Sequence, residues 1–199
     1  MPDETSIASP ASPPLAFSLA HPLDVFYAEQ GQPLLPMTGV DGAAVPEPYK
    51  TLLVHQNDMT PTLESFYGRN LHLKMLGRRS KGGCYYREVV LLLDGTNQPA
   101  EFGAIKIDLA LFAPAARSEI LREELPLGRI LREHNVPHTS RPRAFLRLAS
   151  DRFINTALGL TGAQVLYGRR NSLLDPEGRS LAEIVEILPV AAKPASGAP

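Results

Sequence analysis

Between Tyr49 and Leu188 apolar positions recur at the spacings of short helices and strands, whereas proline interrupts the pattern before them. Tyr49 to Phe66 reads as helical, with Leu53, Met59, Leu63 and Phe66 as buried positions; Pro61 either begins a new helix there or breaks this one. Leu71 to Leu76 alternates and predicts a strand. Tyr85 to Leu93 is rich in aromatic and branched residues and runs into Asp94-Gly95, a hairpin signal because tight hairpin turns need positive φ. Glu101 to Asp108 is then the return strand. Pro114 to Glu124 predicts a helix with proline in its first turn, and Pro126-Leu127-Gly128 opens a second short helix to about Arg132. Ala144 to Leu148 and Val165 to Tyr167 are short strand candidates, Asp175-Pro176-Glu177-Gly178 is a turn, and Leu181 to Leu188 is the last strand. Hairpins and a helical pair, without repeated strand-helix-strand units, predict an α+β fold: a single antiparallel β-sheet packed with helices.

The flanks differ. Nine of the 19 prolines precede Tyr49, and proline opposes both helices and sheet ladders. Residues 1–48 are expected to form a proline-rich N-terminal arm, disordered to about residue 14. The rest of the arm carries Leu15, Phe17, Leu19, Leu23, Val25, Phe26 and Tyr27 and is expected to drape over the core. Residues 49–190 are the expected domain, and 191–199 an expected disordered tail.

Composition narrows the chemistry. Hydrophobic residues make up 44% and charged residues 21%, and the net charge is -1. There is no bulk pull toward nucleic acid or an anionic membrane, so neither is expected as a partner. The lone cysteine, Cys84, excludes an internal disulfide and a cysteine metal cluster. No apolar run approaches the ~20 residues of a membrane span, and the acidic Met-Pro-Asp-Glu start lacks a signal peptide's basic region, so a cytoplasmic location is expected. The five histidines have no ligand-like spacing, and there is no glycine-rich phosphate loop; no metal and no cofactor are expected. Arg141, Arg143, Arg147, Arg152, Arg169 and Arg170 read as a solvated face with surface ion pairs.

Three segments in order resemble the chorismate pyruvate-lyase family: Tyr86-Arg87-Glu88 running to Asp94-Gly95, Pro126-Leu127-Gly128-Arg129, and Gly168-Arg169-Arg170 followed by Glu186-Ile187-Leu188-Pro189. Asp58-Met59-Thr60 is similar to a segment that caps the family's ligand pocket. The resemblance covers roughly Asn57 to Pro189. It implies a chorismate lyase-like fold and a cofactor-free carbon–oxygen lyase that eliminates pyruvate from chorismate to give 4-hydroxybenzoate. Arg87 would clamp a carboxylate through its planar fork of donors. Leu127 and Gly128 would present backbone N–H groups at a helix start, and Met59 would lie on the pocket wall. Glu186, its pKa raised by burial, would be the acid/base.

Two departures leave alternatives open. The family's glutamate stands one residue further from the Leu-Pro ending than Glu186, and Glu183 has the opposite strand parity, so either can be the inward carboxyl. The family often carries arginine after the glycine of the return strand, where Ala104 stands. Glu101 and Lys106 in that strand are either pocket members or on a solvated face. The alternatives are a non-catalytic sensor of small aromatic acids with the same fold, or a lyase for a related enolpyruvyl or hydroxy-aromatic acid. The partner expected in each case is a small aromatic acid; oligomeric state is not indicated.

Overall fold

The computed structural model describes residues 18–189. A seven-stranded antiparallel sheet is built from β1 (Met37–Val40), β2 (Leu71–Lys81), β3 (Cys84–Leu93), β4 (Pro99–Asp108), β5 (Thr139–Ala149), β6 (Val165–Leu174) and β7 (Ser180–Leu188), in the order β1-β5-β6-β7-β4-β3-β2. Six α-helices flank it: α1 (Leu23–Glu29), α2 (Tyr49–Leu53), α3 (Met59–Tyr67), α4 (Pro114–Arg122), α5 (Leu127–Glu133) and α6 (Arg152–Leu158). The α+β class with one antiparallel sheet is as the hydrophobic pattern predicts.

Sheet parity sorts the core into layers. Tyr86, Val90, Phe102, Ala104, Val185 and Ile187 face Leu23, Phe26 and Tyr27 of α1 and Ile154 and Leu158 of α6. On the other face, one cluster joins Ile105, Ile107, Leu173 and Leu181 to α4 and α5. A second joins Leu71, Leu91, Leu93 and Leu188 to α2 and α3. Strands covered on both sides lose polar–apolar alternation, which is why β3 reads as a near-continuous apolar run.

Local chemistry sets the helix ends. Pro61 neither breaks nor begins α3; it is the third residue, where the N–H has no intrahelical partner to lose. The helix ends at Gly68 with φ 62°, the left-handed cap that glycine adopts without strain. Helix α6 was not anticipated, although Asp151 accepts from Ile154 N at 2.8 Å as its N-cap and Ile154 and Leu158 share one face.

The expected boundary at residue 49 does not separate the elements. Strand β1 pairs with β5, from Met37↔Leu148 to Val40↔Phe145, and α1 contributes Leu23 and Phe26 to the core. The expected disorder of residues 1–14 and of the tail 191–199 lies outside the described residues.

Arg87 and its neighbour Glu88 point to opposite faces and are both buried, each 1% exposed. Glu88 lies beneath α1, near the Phe26 ring and Gly77, and its Oε1 has no hydrogen-bond partner. Burial and the Glu29 carboxylate push its carboxyl from 4.5 up to about 7. Because the folded value is the higher one, the contribution to stability is full below pH 4.5 and is lost as pH rises through 7, a difference of roughly 3 kcal/mol. Glu88→Gln should therefore flatten the pH dependence of stability. Urea midpoints measured at pH 5 and pH 8 should fall for the parent and change much less for the variant; parallel falls would show that Glu88 is not the source.

Candidate functional site

The two helix pairs α2/α3 and α4/α5 meet over the middle of the sheet, and a cavity of about 60 Å³ lies beneath their junction. Strand register determines what lines it. Arg87, Ile105, Ile184 and Asn171 form one row across β3, β4, β7 and β6; Val89, Gly103, Glu186 and Arg169 form the next; Leu91 and Glu101 begin the third. All of these except Arg169 line the cavity, together with Leu73, Leu173, Asp58, Met59, Thr60, Pro126, Leu127 and Gly128. The spacing between rows and strands puts the Arg87 and Glu101 Cα atoms roughly 14 Å apart.

At one end stands Arg87. Its Nε and Nη1 are buried and have no hydrogen-bond partner. Burial pulls the guanidinium pKa down to about 10, with Tyr85 and Glu123 opposing, so it is a cation at neutral pH. Glu123 is itself occupied by the Tyr85 hydroxyl and by Arg78 Nη1 at 2.7 Å. A desolvated guanidinium with idle donors beside a cavity has the chemistry to receive a carboxylate or similar anion.

At the other end sit two carboxyls and a second arginine. Arg169 is fully buried, which corrects the expectation that it belongs to a solvated face; Arg141, Arg143, Arg147 and Arg152 are exposed. Its Nε donates to Glu186 Oε2. Nη1 donates to His55 O at 3.3 Å and Nη2 to Asn57 O at 3.1 Å, so Arg169 ties the loop 54–58 to the sheet. Burial and Arg169 lower the His55 pKa, holding the imidazole neutral beside the guanidinium. Glu101 faces the same space, 5% exposed, with Oε2 unpartnered. Burial, reinforced by Glu186, holds its carboxyl well above the usual range despite the opposing pull of Arg169. Glu101 is thus a buried carboxyl of this site without an ion-pair partner, whereas the Glu186 carboxylate is held by Arg169.

Glu183 is on the far face. It pairs with Lys106 and Ser172 across the sheet and accepts from Ser172 Oγ at 3.1 Å, Ser180 Oγ at 3.0 Å and Arg170 Nη2 at 3.4 Å. Strand parity alone separates it from the cavity, and Lys106 goes with it. Of the residues expected at a site, Arg87, Glu186, Met59, Leu127, Gly128 and Glu101 come together and Glu183 does not.

The lid is built by contacts between segments distant in sequence. Asp58, at the start of α3, receives His138 Nε2 at 2.9 Å, while His138 Nδ1 donates to Val136 O at 2.8 Å. Two acceptors favour the imidazolium, and the Asp58 hydrogen bond raises the His138 pKa. Asn171 Nδ2 donates to Ser140 Oγ at 2.9 Å, leaving Asn171 Oδ1 unpartnered against the cavity. Arg129 reaches Glu64 Oε1 at 2.6 Å and Leu71 O at 3.1 Å, pinning α3 to α5. Gly128 permits that approach: a Cβ there would lie 2.9 Å from Thr60 Oγ1. Arg169 and Asn171 were not proposed as site residues; their alternation with Leu173 in β6 is the signal that marks them.

No family model matches the sequence, and no curated protein is significantly similar to it. Solved structures share its fold. PhnF from Mycobacterium smegmatis is 13% identical over 69% of this chain and 65% of its own, with a TM-score of 0.54. The gene product SA0254 from Staphylococcus aureus subsp. aureus N315 is 9% identical over 63% of this chain and 86% of its own, at 0.50. A transcriptional regulator of the GntR family from Bacillus cereus is 14% identical over 64% and 94%, at 0.45. The fold is chorismate lyase-like. Likeness at these identities speaks to fold alone; neither lyase activity nor the expected exclusion of nucleic acid as a partner gains support from it. Among the described residues, no three His, Cys, Asp or Glu side chains are placed to hold a metal, and no helix is long and apolar enough to cross a membrane.

Removing Arg169 leaves Glu186 buried without its counter-charge, a loss of about 3–5 kcal/mol in typical cases. Arg169→Met should lower the urea midpoint sharply, and adding Glu186→Leu should recover part of the loss. A double variant as unstable as the sum of the two singles would show that the pair does not act as a unit.

Proposed function

We propose that this chain is a ligand-binding domain that captures a small aromatic carboxylic acid of the 4-hydroxybenzoate type, anchored by Arg87, without turning it over. The observation that carries the reading is the pair of unpartnered, buried donors on Arg87 beside a cavity. A carboxylate there gains two charge-assisted hydrogen bonds in a desolvated setting. Apolar walls from Val89, Leu91, Ile105, Leu173 and Ile184 suit a flat ring. The cavity of about 60 Å³, partly open to solvent, is smaller than the ~150 Å³ cavity that holds benzene in a protein core. Binding therefore includes an outward shift of the loop 54–58 and the start of α3, which Arg169 and the Asp58–His138 hydrogen bond hold in place.

A second reading, chorismate pyruvate-lyase, is favoured by one observation: Glu101 is a buried carboxylic acid of the kind that delivers a proton to a departing enolpyruvyl group. The resemblance of the Arg87, Pro126-Leu127-Gly128 and Gly168-Arg169 segments to that family also speaks for it.

Titration calorimetry with 4-hydroxybenzoate tests the first reading. Binding should be seen for the parent and should weaken by about 100-fold in Arg87→Met, the loss of a buried charge-assisted pair. Equal affinity in both proteins would remove Arg87 as the anchor. Chorismate with a lactate dehydrogenase-coupled pyruvate assay separates the readings: release above the spontaneous rate would establish turnover and replace the binding-only proposal.

A further inference from the structure

Resting on the reading of Arg87 as the anion anchor, we propose that Glu101 sets the ligand class: its buried, unpartnered carboxyl group reads an uncharged oxygen function, a hydroxyl or carbonyl, at the far end of the ligand and turns away acids that carry a second carboxylate.

The charge inventory of the cavity carries this. Arg87 is the only basic side chain among the described lining residues, against three acidic ones, Asp58, Glu101 and Glu186. Two of the three are answered: Asp58 by His138 and Glu186 by Arg169. Glu101 has no ion-pair or hydrogen-bond partner for its Oε2, and Arg169 has its Nε on Glu186 and its other nitrogens on backbone carbonyls. A ligand carboxylate placed on Arg87 is neutralised. A second one at the opposite end meets two buried carboxyl groups and, among the described lining residues, no free cation.

A neutral oxygen fares differently. Burial and the neighbouring Glu186 raise the Glu101 carboxyl well above its usual range and so favour its protonated form, in which its O–H donates to a ligand oxygen while its second oxygen accepts from a ligand hydroxyl. An apolar group in the same place leaves the buried Oε2 unsatisfied. Sites built to hydrogen-bond a ligand hydroxyl reject analogues lacking it for this reason. Gly103 keeps the arrangement open, since a Cβ there would lie 3.1 Å from Glu101 Oε1 and 3.0 Å from Val185 O. Glu101 reaches the cavity because β4 presents it on the same face as Gly103 and Ile105, diagonal to Glu186.

Titration calorimetry of the full chain at pH 7 with four acids tests it: benzoate, 4-hydroxybenzoate, terephthalate and terephthalamate, the monoanion in which an uncharged amide replaces one carboxylate of terephthalate. The expected result is about tenfold tighter binding of 4-hydroxybenzoate than benzoate, and about tenfold tighter binding of terephthalamate than terephthalate. Glu101→Leu should erase the preference for the hydroxyl, and Glu101→Gln, neutral and able to hydrogen-bond, should keep most of it. Terephthalate binding as well as its amide, or a hydroxyl preference unchanged in Glu101→Leu, overturns the assignment of Glu101. In either of those cases Arg87 stands as the anchor if Arg87→Met weakens all four acids together. If none of the four binds the parent chain, the reading of Arg87 fails and this one with it. Should Glu101→Leu not fold, as judged by its circular dichroism melt, the terephthalate–terephthalamate pair on the parent chain decides alone.

Discussion

The buried ion pair between Arg169 and Glu186 is the interaction on which the rest of the site depends. It joins the neighbouring strands β6 and β7, and the remaining nitrogens of Arg169 hold the carbonyls of His55 and Asn57 in the loop that roofs the cavity. An ion pair so placed contributes little net stability over an apolar pair of equal volume, but breaking it on one side is costly. Its value lies in geometry: it fixes a roof over a floor. Gly168 makes the close contact possible, because a Cβ at that position would lie 2.3 Å from the Glu186 carbonyl oxygen.

Once Glu186 is neutralised, the remaining charges acquire distinct roles. Arg87 is a buried cation with unpartnered donors, and Glu101 a carboxyl whose pKa burial holds well above the usual range. Their Cα atoms are roughly 14 Å apart along the sheet, with apolar residues between them. Four buried polar atoms without partners, on Arg87, Glu101 and Asn171, face one cavity. Folded proteins rarely leave such groups unmet, and their concentration at one place supports a polar ligand that completes them.

The position of the cavity follows from layer packing. Helix pairs α2/α3 and α4/α5 each have their own apolar cluster against the sheet, and the seam between the clusters is where packing gives way to space. Asp58, Met59, Leu127 and Gly128 reach the seam because they begin the two helices that meet there.

Much of the architecture was legible in the chain. The β3–β4 hairpin, the helices near Pro114 and Pro126, and the last strand follow from period-2 and period-3.6 spacing and from turn residues, all local properties. The Arg87 and Glu186 motifs, picked out by resemblance, line the same cavity. What the sequence left undecided was non-local. Proline density before Tyr49 suggested an arm, yet α1 and β1 are integrated because core partners in β3, β4 and β5 reward their burial. The Glu183/Glu186 choice was settled by which face of β7 meets the α4/α5 layer. Arg169 looked like one of six surface arginines until β7 supplied its counter-charge. Local spacing determined which elements form and which residues share a strand face. Only the tertiary structure decided which face closes over a cavity and which charges meet inside it, because burial and ion pairing are properties of strands brought together from distant parts of the chain.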